Sequence, residues 1–284
     1  MVGYKIEDLI ELFRASDSLS TDGYKQICDS LTGVKYVKRD HLYRSGVWRK
    51  NEVRSFVSDW SPETKIIVLG HSDTPTRCHD VLLLRAAGVR TVIGTNCTPI
   101  FGVSQCLPLG LTNFCDDSQL HRILGLTTPF IQVLEDGGND SKSDNSILMS
   151  FNRNTSEKYR GPVFSLFDGK PNVTTFSLDY TIDGRLEYLK SIMNHDFVLC
   201  PRGNGRDTHR LWETLYLGSI PIVKRGELPS NLLMNFPVWT VNKWSDALDP
   251  KARVAAKEEI LANDWDVNRL RQTFWNSIIS SHVK

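Results

Sequence analysis

The sequence predicts an α/β protein with two parallel β-sheets, because strand-helix-strand patterns with short connections occur in both halves of the chain. The length of 284 residues exceeds that of a typical single domain, and the 40% hydrophobic content leaves room for a sizeable core. A polar stretch separates the two patterns. We therefore expect two lobes, each built on its own sheet.

The first half of the chain has one clear β-α-β unit. Apolar residues at helical spacing predict an amphipathic helix over residues 6–13, and a polar stretch follows it. The unit itself consists of a buried strand at 65–69, a helix at 78–87 that ends before Gly88, and a β-branched strand at 89–93. We expect an N-terminal lobe over residues 1–130.

The second half repeats this alternation after a break. Residues 135–145 are rich in Gly, Asp, Asn and Ser, so we expect an exposed linker there. Strands are predicted at 147–151, 173–178, 197–200 and 220–224, and helices at 183–193 and 208–217. This predicts a C-terminal lobe over residues 146–264. The final helix, within 265–284, has an apolar face that is expected to pack back against the N-terminal lobe.

Charge and composition limit the partners and the compartment. The net charge of +1, from 34 basic and 33 acidic residues, gives no overall field that would recruit nucleic acid or an anionic membrane. Charged side chains interrupt the N-terminus, which excludes a signal peptide, and no apolar run is long enough for a membrane span. The six cysteines lack metal or redox spacings. We expect a cytoplasmic protein of unknown oligomeric state.

Residues 195–225 carry the strongest sign of chemistry. A buried strand leads into a loop with two glycines, Gly203 and Gly205, and two arginines, Arg202 and Arg206, and a helix then begins at Asp207 or Thr208. Loops at the carboxyl ends of parallel strands bind ligands in α/β proteins. The glycines let the backbone approach a ligand, and arginines and a helix N-terminus bind phosphate oxygens. The loop therefore predicts a site for a phosphorylated ligand.

Arg210 and Glu213 lie three positions apart on the helix that follows this loop, so they share one helix face. An acidic side chain at such a position suits ribose hydroxyls. The alternative is a simple surface ion pair next to an ordinary glycine turn.

The segment P-R-G-N-G-R-D-T-H-R-L-W-E-T-L-Y-L-G-S-I-P-I-V resembles the signature of exostosin-like glycosyltransferases, in which P-R-G is followed by R-x-x-E-A-L and then by a small residue and I-P-V. The matching positions are Pro201, Arg202, Gly203, Arg210, Glu213, Leu215, Gly218, Pro221 and Val223. The resemblance implies a GT-B fold, with two Rossmann-like lobes and a cleft between them. It also implies that the C-terminal lobe holds a nucleotide sugar and that its first strand contributes to that site.

The chemistry of the loop and the resemblance together predict the following residues for the nucleotide-sugar site: Asn152, Arg153, Arg160, Arg202, Gly203, Asn204, Gly205, Asp207, Thr208, Arg210 and Glu213. The G-H-S-D and L-P-L-G-L segments of the first half are similar to compact exostosin-like proteins of microbes and large viruses, some of them xylosyltransferases. Xylose from UDP-xylose is therefore the first expectation for the transferred sugar, moved singly and with inversion to a carbohydrate acceptor. UDP-glucuronate, UDP-N-acetylglucosamine, UDP-galactose and GDP-sugars stay open.

The expected chemistry needs no metal and no cofactor. Metal-dependent sugar transferases hold a divalent ion with clustered carboxylates, and no Asp-x-Asp occurs near the donor loop. The Asp264 and Asp266 pair is more simply a helix cap. We expect arginines and a helix dipole to balance the diphosphate charge.

A general base is expected from the opposite lobe, in the loop after the strand at 65–69. That loop contains His71 and Asp73, either of which could remove a proton from an acceptor hydroxyl near neutral pH. The alternative is structural, with Asp73 or Thr74 capping the next helix and His71 acting only as a hydrogen-bonded loop residue. Asp40, beside His41, is the next candidate.

A binding module and other nucleotide-using enzymes are the alternatives to a glycosyltransferase. A sugar- or nucleotide-binding module without catalysis is the main alternative, since a two-lobed fold can bind without reacting. A Rossmann dehydrogenase is disfavoured and a Walker-type NTPase is excluded, because neither glycine motif follows the first strand of a lobe.

Overall fold

The computed structural model of the protein describes residues 3–38, 50–115, 118–137 and 143–283. The strands of these residues form two separate sheets, one of four strands and one of five, and all neighbouring strands are parallel. The prediction of an α/β protein with two parallel sheets is therefore confirmed.

The N-terminal sheet has the strand order β1-β2-β3-β4. Its strands are β1 (Val34–Lys38), β2 (Ile66–Gly70), β3 (Thr91–Thr95) and β4 (Ser104–Leu107). The helices of this half are α1 (Ile6–Arg14), α2 (Thr21–Ser30), α3 (Lys50–Ser58) and α4 (Cys78–Ala86). Every residue of β2 and β3 is buried, as expected for the centre of a parallel sheet that helices cover on both faces.

The C-terminal sheet has the strand order β6-β5-β7-β8-β9. Its strands are β5 (Ser143–Met149), β6 (Val173–Thr175), β7 (His195–Leu199), β8 (Ile220–Lys224) and β9 (Trp239–Val241). The helices from the middle of the chain onward are α5 (Gln119–Leu124), α6 (Thr128–Glu135), α7 (Glu157–Phe167), α8 (Ile182–Met193), α9 (His209–Tyr216), α10 (Ser230–Leu233), α11 (Pro250–Leu261) and α12 (Gln272–Ser281).

One hydrophobic core joins the two halves. Helix α6 packs against both α1 and α8, and α12 packs against α2. The rings of Phe13, Phe130 and Tyr216 form an aromatic cluster, with centroids 4.9 Å apart for Phe13 and Phe130. The Tyr216 hydroxyl accepts a hydrogen bond from the backbone N–H of Leu19 (2.8 Å) and donates one to the carbonyl of Leu270 (2.6 Å). These contacts fix the two sheets relative to each other.

The predicted linker and the polar stretch after α1 differ from the sequence prediction. The expected linker at 135–145 is shorter, because α6 extends to Glu135 and β5 begins at Ser143. A bulge follows Ser143, and the N–H of Asn145 donates to the Asp196 carboxylate at 2.7 Å, which holds this polar stretch in the sheet. The polar stretch after α1 contains helix α2 and strand β1.

No helix in the described ranges combines the length and the apolar content needed to cross a lipid bilayer.

Candidate functional site

The loops at the carboxyl ends of the two sheets touch each other. Asn96, directly after β3, accepts hydrogen bonds at its side-chain oxygen from the backbone N–H groups of Arg206 (2.9 Å) and Asp207 (2.8 Å), which belong to the loop after β7. Its amide nitrogen donates to the Ser72 carbonyl at 3.3 Å. A single side chain thus links the 71–73 loop of one sheet to the glycine loop of the other, at the edges where α/β sheets bind ligands.

Gly205 lies at the point of closest approach. A Cβ atom at this buried position would lie 3.2 Å from the Asn96 amide nitrogen and 3.3 Å from the Asp73 carbonyl oxygen. A side chain here would have to displace one of the two loops by a few tenths of an ångström, so glycine favours their close approach. The side chain of Asp73 is exposed at this junction.

Arg160 connects the loop after β5 to the loop after β7. This buried side chain donates from Nη1 to the Asn152 carbonyl (3.1 Å) and from Nε to the Arg202 carbonyl (3.3 Å). Gly203 leaves room for it, since a Cβ there would lie 3.0 Å from Nη2 of Arg160. The structure thus brings Asn152, Arg160, Arg202 and Gly203 together.

Two guanidinium groups share one aromatic neighbour in this region. The Cζ atoms of Arg160 and Arg210 lie 5.8 Å and 5.9 Å from the centroid of the Phe151 ring. Among the described residues, neither arginine forms an ion pair with a carboxylate. Burial, and then the positive charge of Arg210, lower the pKa of Arg160 to about 10. An anion bound here would relieve this repulsion.

Two buried polar atoms beside these arginines lack a partner. Nε of Arg210 and Oγ1 of Thr208 make no hydrogen bond to any described residue. Thr208 is the N-cap residue of α9, yet its side chain makes no capping hydrogen bond. Buried polar groups normally find partners, so these donors fit a ligand with phosphate or hydroxyl oxygens.

The rim of the site contains two residues that the sequence did not single out. The Arg202 guanidinium lies 4.1 Å from the centroid of the exposed Tyr159 ring, and its Nη2 donates to the Asn204 carbonyl at 3.2 Å. Glu227, in the loop after β8, accepts a backbone hydrogen bond from Arg202, and burial raises the pKa of this carboxyl to about 7. Glu227 follows β8, a strand of the same sheet, and this position in the sequence could have indicated it as a residue of the site.

Asp207 and Glu213 lie at the site, but protein groups already occupy their carboxylates. Asp207 accepts hydrogen bonds from the N–H groups of Leu109 (2.9 Å) and Thr208 (2.8 Å) and from the Trp212 indole (2.9 Å). Burial raises the pKa of Asp207 to about 7, against the lowering effect of these donors. Asp207 therefore fixes the glycine loop against the N-terminal half, and its binding to a nucleotide stays a prediction.

Glu213 is buried against α8. Its carboxylate oxygens contact Nη2 of Arg185 and the Tyr188 hydroxyl, both at 2.8 Å. Burial alone would raise the pKa of Glu213, but Arg185, the Tyr188 hydroxyl and Arg210 together lower it. Glu213 is thus an ionised partner beneath the arginine cluster, and a ribose contact stays a prediction.

Arg153 stands apart from the other arginines. Its side chain is exposed, pairs with Glu157 at 2.8 Å and lies over the Phe164 ring. Arg153 lies in the short 3-10 helix before α7, and its ion pair with the first residue of α7 holds it at the surface. A contact between Arg153 and a diphosphate stays a prediction that these interactions do not favour.

His71 is enclosed in a hydrogen-bonded cluster. Its Nδ1 lies 2.5 Å from the Tyr36 hydroxyl, and its Nε2 lies 3.0 Å from Oδ1 of Asp22 and 2.9 Å from the Asn113 amide nitrogen. Burial lowers the pKa of His71, although Asp22 opposes this shift. Gly70 allows the arrangement, because a Cβ there would lie 2.1 Å from the Tyr36 oxygen. With both ring nitrogens engaged, His71 is poorly placed to take a proton from a substrate, whereas Asp73 is exposed.

The remaining sequence candidates have simple outcomes. Asp40 and His41 lie outside the described residues. Asp266 accepts a hydrogen bond from the N–H of Asn268 at 3.0 Å and caps the short helix Val267–Leu270. Within the described ranges, no group of three or more His, Cys, Asp or Glu side chains could hold a metal ion.

Comparison with protein-family models and with curated protein sequences gives no match.

Proposed function

We propose that the protein is a glycosyltransferase that moves one sugar from a nucleotide sugar to a carbohydrate acceptor. The observation that carries the proposal is the contact between the 71–73 loop and the glycine loop. It brings the loop that carries the exposed Asp73 close enough for its carboxylate to act electrostatically on Arg160, and neither Arg160 nor Arg210 forms an ion pair with a described carboxylate. A base facing a phosphate-binding cluster is the arrangement that sugar transfer from a diphosphate requires.

Each group then has a role in the transfer. The Asp73 carboxylate removes the proton of the acceptor hydroxyl while that oxygen forms a bond to the anomeric carbon of the donor. The bond between this carbon and the diphosphate oxygen breaks, and the nucleoside diphosphate leaves with the electron pair. Arg160, Arg210 and the first turn of α9 balance its charge. Attack opposite to the leaving group inverts the anomeric centre.

The architecture proposed for this reaction is GT-B, with the two parallel sheets as the two Rossmann-like lobes. The meeting of their carboxyl edges supports it, since both substrates would enter at one cleft. We also propose a cytoplasmic location. The finding that all six cysteines are free thiols supports a reducing compartment.

UDP-xylose is the proposed donor, on the strength of the resemblance to compact viral xylosyltransferases. Arginine clusters and helix N-termini bind any diphosphate, so the site chemistry leaves the base and the sugar open.

The proposal is tested by ligand-induced stabilisation. A ligand that binds only the folded state stabilises it by about 2.7 kcal/mol at a hundredfold excess over Kd. We expect UDP and UDP-xylose to raise the unfolding temperature of the wild type, and Arg210→Gln to lose most of this shift. Arg14→Gln removes the same charge from the exposed face of α1 and should keep it.

A product assay with radiolabelled nucleotide sugars then separates catalysis from binding. Transfer to a glycan or release of sugar to water supports a transferase. Stabilisation by UDP without either reaction would indicate a binding module. Absence of stabilisation by every nucleotide sugar, or an equal loss in the Arg14 variant, would contradict the proposal.

A further inference from the structure

We propose that Asp22, which Asn113 holds in place, binds hydroxyl groups of a neutral acceptor sugar, an inference that rests on the proposed function. Asp22 lies in the first turn of α2, about 50 residues before the loop that it contacts, and no sequence motif points to it. It reaches the 71–73 loop through His71, next to the proposed base.

The Asp22 carboxylate is held in place while staying accessible. Its Oδ1 lies 3.0 Å from Nε2 of His71, and its backbone N–H donates to Oδ1 of Asn113 at 3.2 Å. Asn113 in turn donates to Oγ1 of Thr21 at 2.6 Å. The Asp22 side chain is nevertheless 47% exposed, and its Oδ2 accepts no hydrogen bond from another described residue. A fixed acceptor loses little entropy when a ligand binds.

The chemistry of this group favours sugar hydroxyls. A carboxylate accepts several hydrogen bonds and donates none, so it suits the adjacent hydroxyl donors of a sugar ring. No lysine or arginine forms an ion pair with Asp22 within the described part of the chain. Asp22 contacts His71, whose pKa is lowered by burial, and Lys25 and Lys38 lie near enough to act on the His71 charge without pairing with Asp22. An unpaired carboxylate disfavours phosphorylated or carboxylated sugars.

The location of Asp22 fits a residue that binds the acceptor sugar better than one that binds the donor. His71 and Asp73 are two residues apart, so their Cα atoms lie within about 7 Å of each other. Asp22 contacts His71 on the N-terminal side of the cleft, whereas the arginine cluster belongs to the opposite sheet. Phe114, which follows Asn113, is 48% exposed and adds apolar surface to the polar pair.

The test compares Asp22→Asn with Asp29→Asn, a matched change at an exposed position of the same helix. The full chain is assayed with its donor and with methyl glycosides of xylose, glucose, galactose, fucose and rhamnose. For Asp22→Asn we expect the acceptor KM to rise at least tenfold. The donor KM and the hydrolysis of donor without acceptor should change less than twofold, as should every parameter of Asp29→Asn.

Other outcomes overturn the inference. If Asp22 only holds His71, Asp22→Asn would lower kcat for transfer and hydrolysis alike without changing the acceptor KM, and His71→Gln would reproduce this. Saturation-transfer NMR on the UDP-loaded wild type tests whether the methyl glycosides bind. Failure of every glycoside to bind would also refute the inference. Absence of UDP binding by the wild type would instead contradict the proposed function.

Discussion

The loop after β2 contains two candidate bases, His71 and Asp73, whose surroundings differ. His71 has a left-handed backbone, with φ of 50°, and both of its ring nitrogens contact protein groups. A strained non-glycine residue of this kind persists only where neighbours enforce it. We interpret His71 as a positioning residue that sets the course of the loop, which leaves Asp73 as the candidate base.

Replacement of Asp73 by Asn tests this assignment at the residue scale. We expect turnover to fall by roughly a hundredfold to ten-thousandfold, the usual range for loss of a general base, with an unchanged donor Kd. His71→Gln should have a smaller effect on turnover. Steady-state kinetics and nucleotide titration measure both quantities. Normal turnover in Asp73→Asn would exclude the residue, and a larger effect at His71 would reverse the two roles.

At the scale of elements, local patterns predicted the strands better than the helices. Continuous apolar runs identify β2, β7 and β8, since buried parallel strands need them. Helix α7 was missed because Gly161 and Pro162 lie inside it. Its buried Val163 and Phe167 pack in the core of the C-terminal half, and this packing outweighs the poor helix propensity.

The candidate site also contains residues that the sequence predicts and residues that it does not. The glycine loop is contiguous in sequence, so its members could be predicted together. Tyr36, Asp22 and Glu227 reach the site from other elements, and only the fold brings them there. Sequence spacing also could not foresee that Glu213 pairs with Arg185, 28 positions earlier.

The elements around the glycine loop predict insensitivity to chelators. Arg160 and Arg210 carry permanent charge, and α9 adds its N-terminal donors, so a leaving diphosphate can be stabilised without a divalent ion. We expect turnover in excess EDTA to stay within twofold of its value in magnesium or manganese. Complete loss in EDTA with recovery on adding manganese would contradict this expectation.

At the scale of the whole molecule, the relative position of the two sheets depends on buried polar links as well as on the shared core. Tyr216 joins the segments before α2 and before α12, and Asp207 joins the loops after β4 and β7. A buried carboxylate without a cationic partner is costly to ionise. The junction of the two halves should therefore respond to pH.

The pKa of Asp207 determines the direction in which the stability of the junction changes with pH. Its pKa, raised by burial to about 7, exceeds the ordinary value of 3.8, so between about pH 4 and pH 7 the folded chain keeps a proton that the unfolded chain has released. The contribution of Asp207 to the free energy of unfolding therefore decreases as pH rises through this window and levels off above it.

Asp207→Asn cannot ionise and also loses the acceptor of the Leu109 N–H. We expect it to be less stable than the wild type at pH 5, and the gap to narrow by about 1 to 3 kcal/mol by pH 8. Urea unfolding of both proteins at pH 5, 6, 7 and 8 measures the gap. A gap that is constant or widens with pH would mean that the three donors keep Asp207 ionised throughout, and the junction would then be independent of pH.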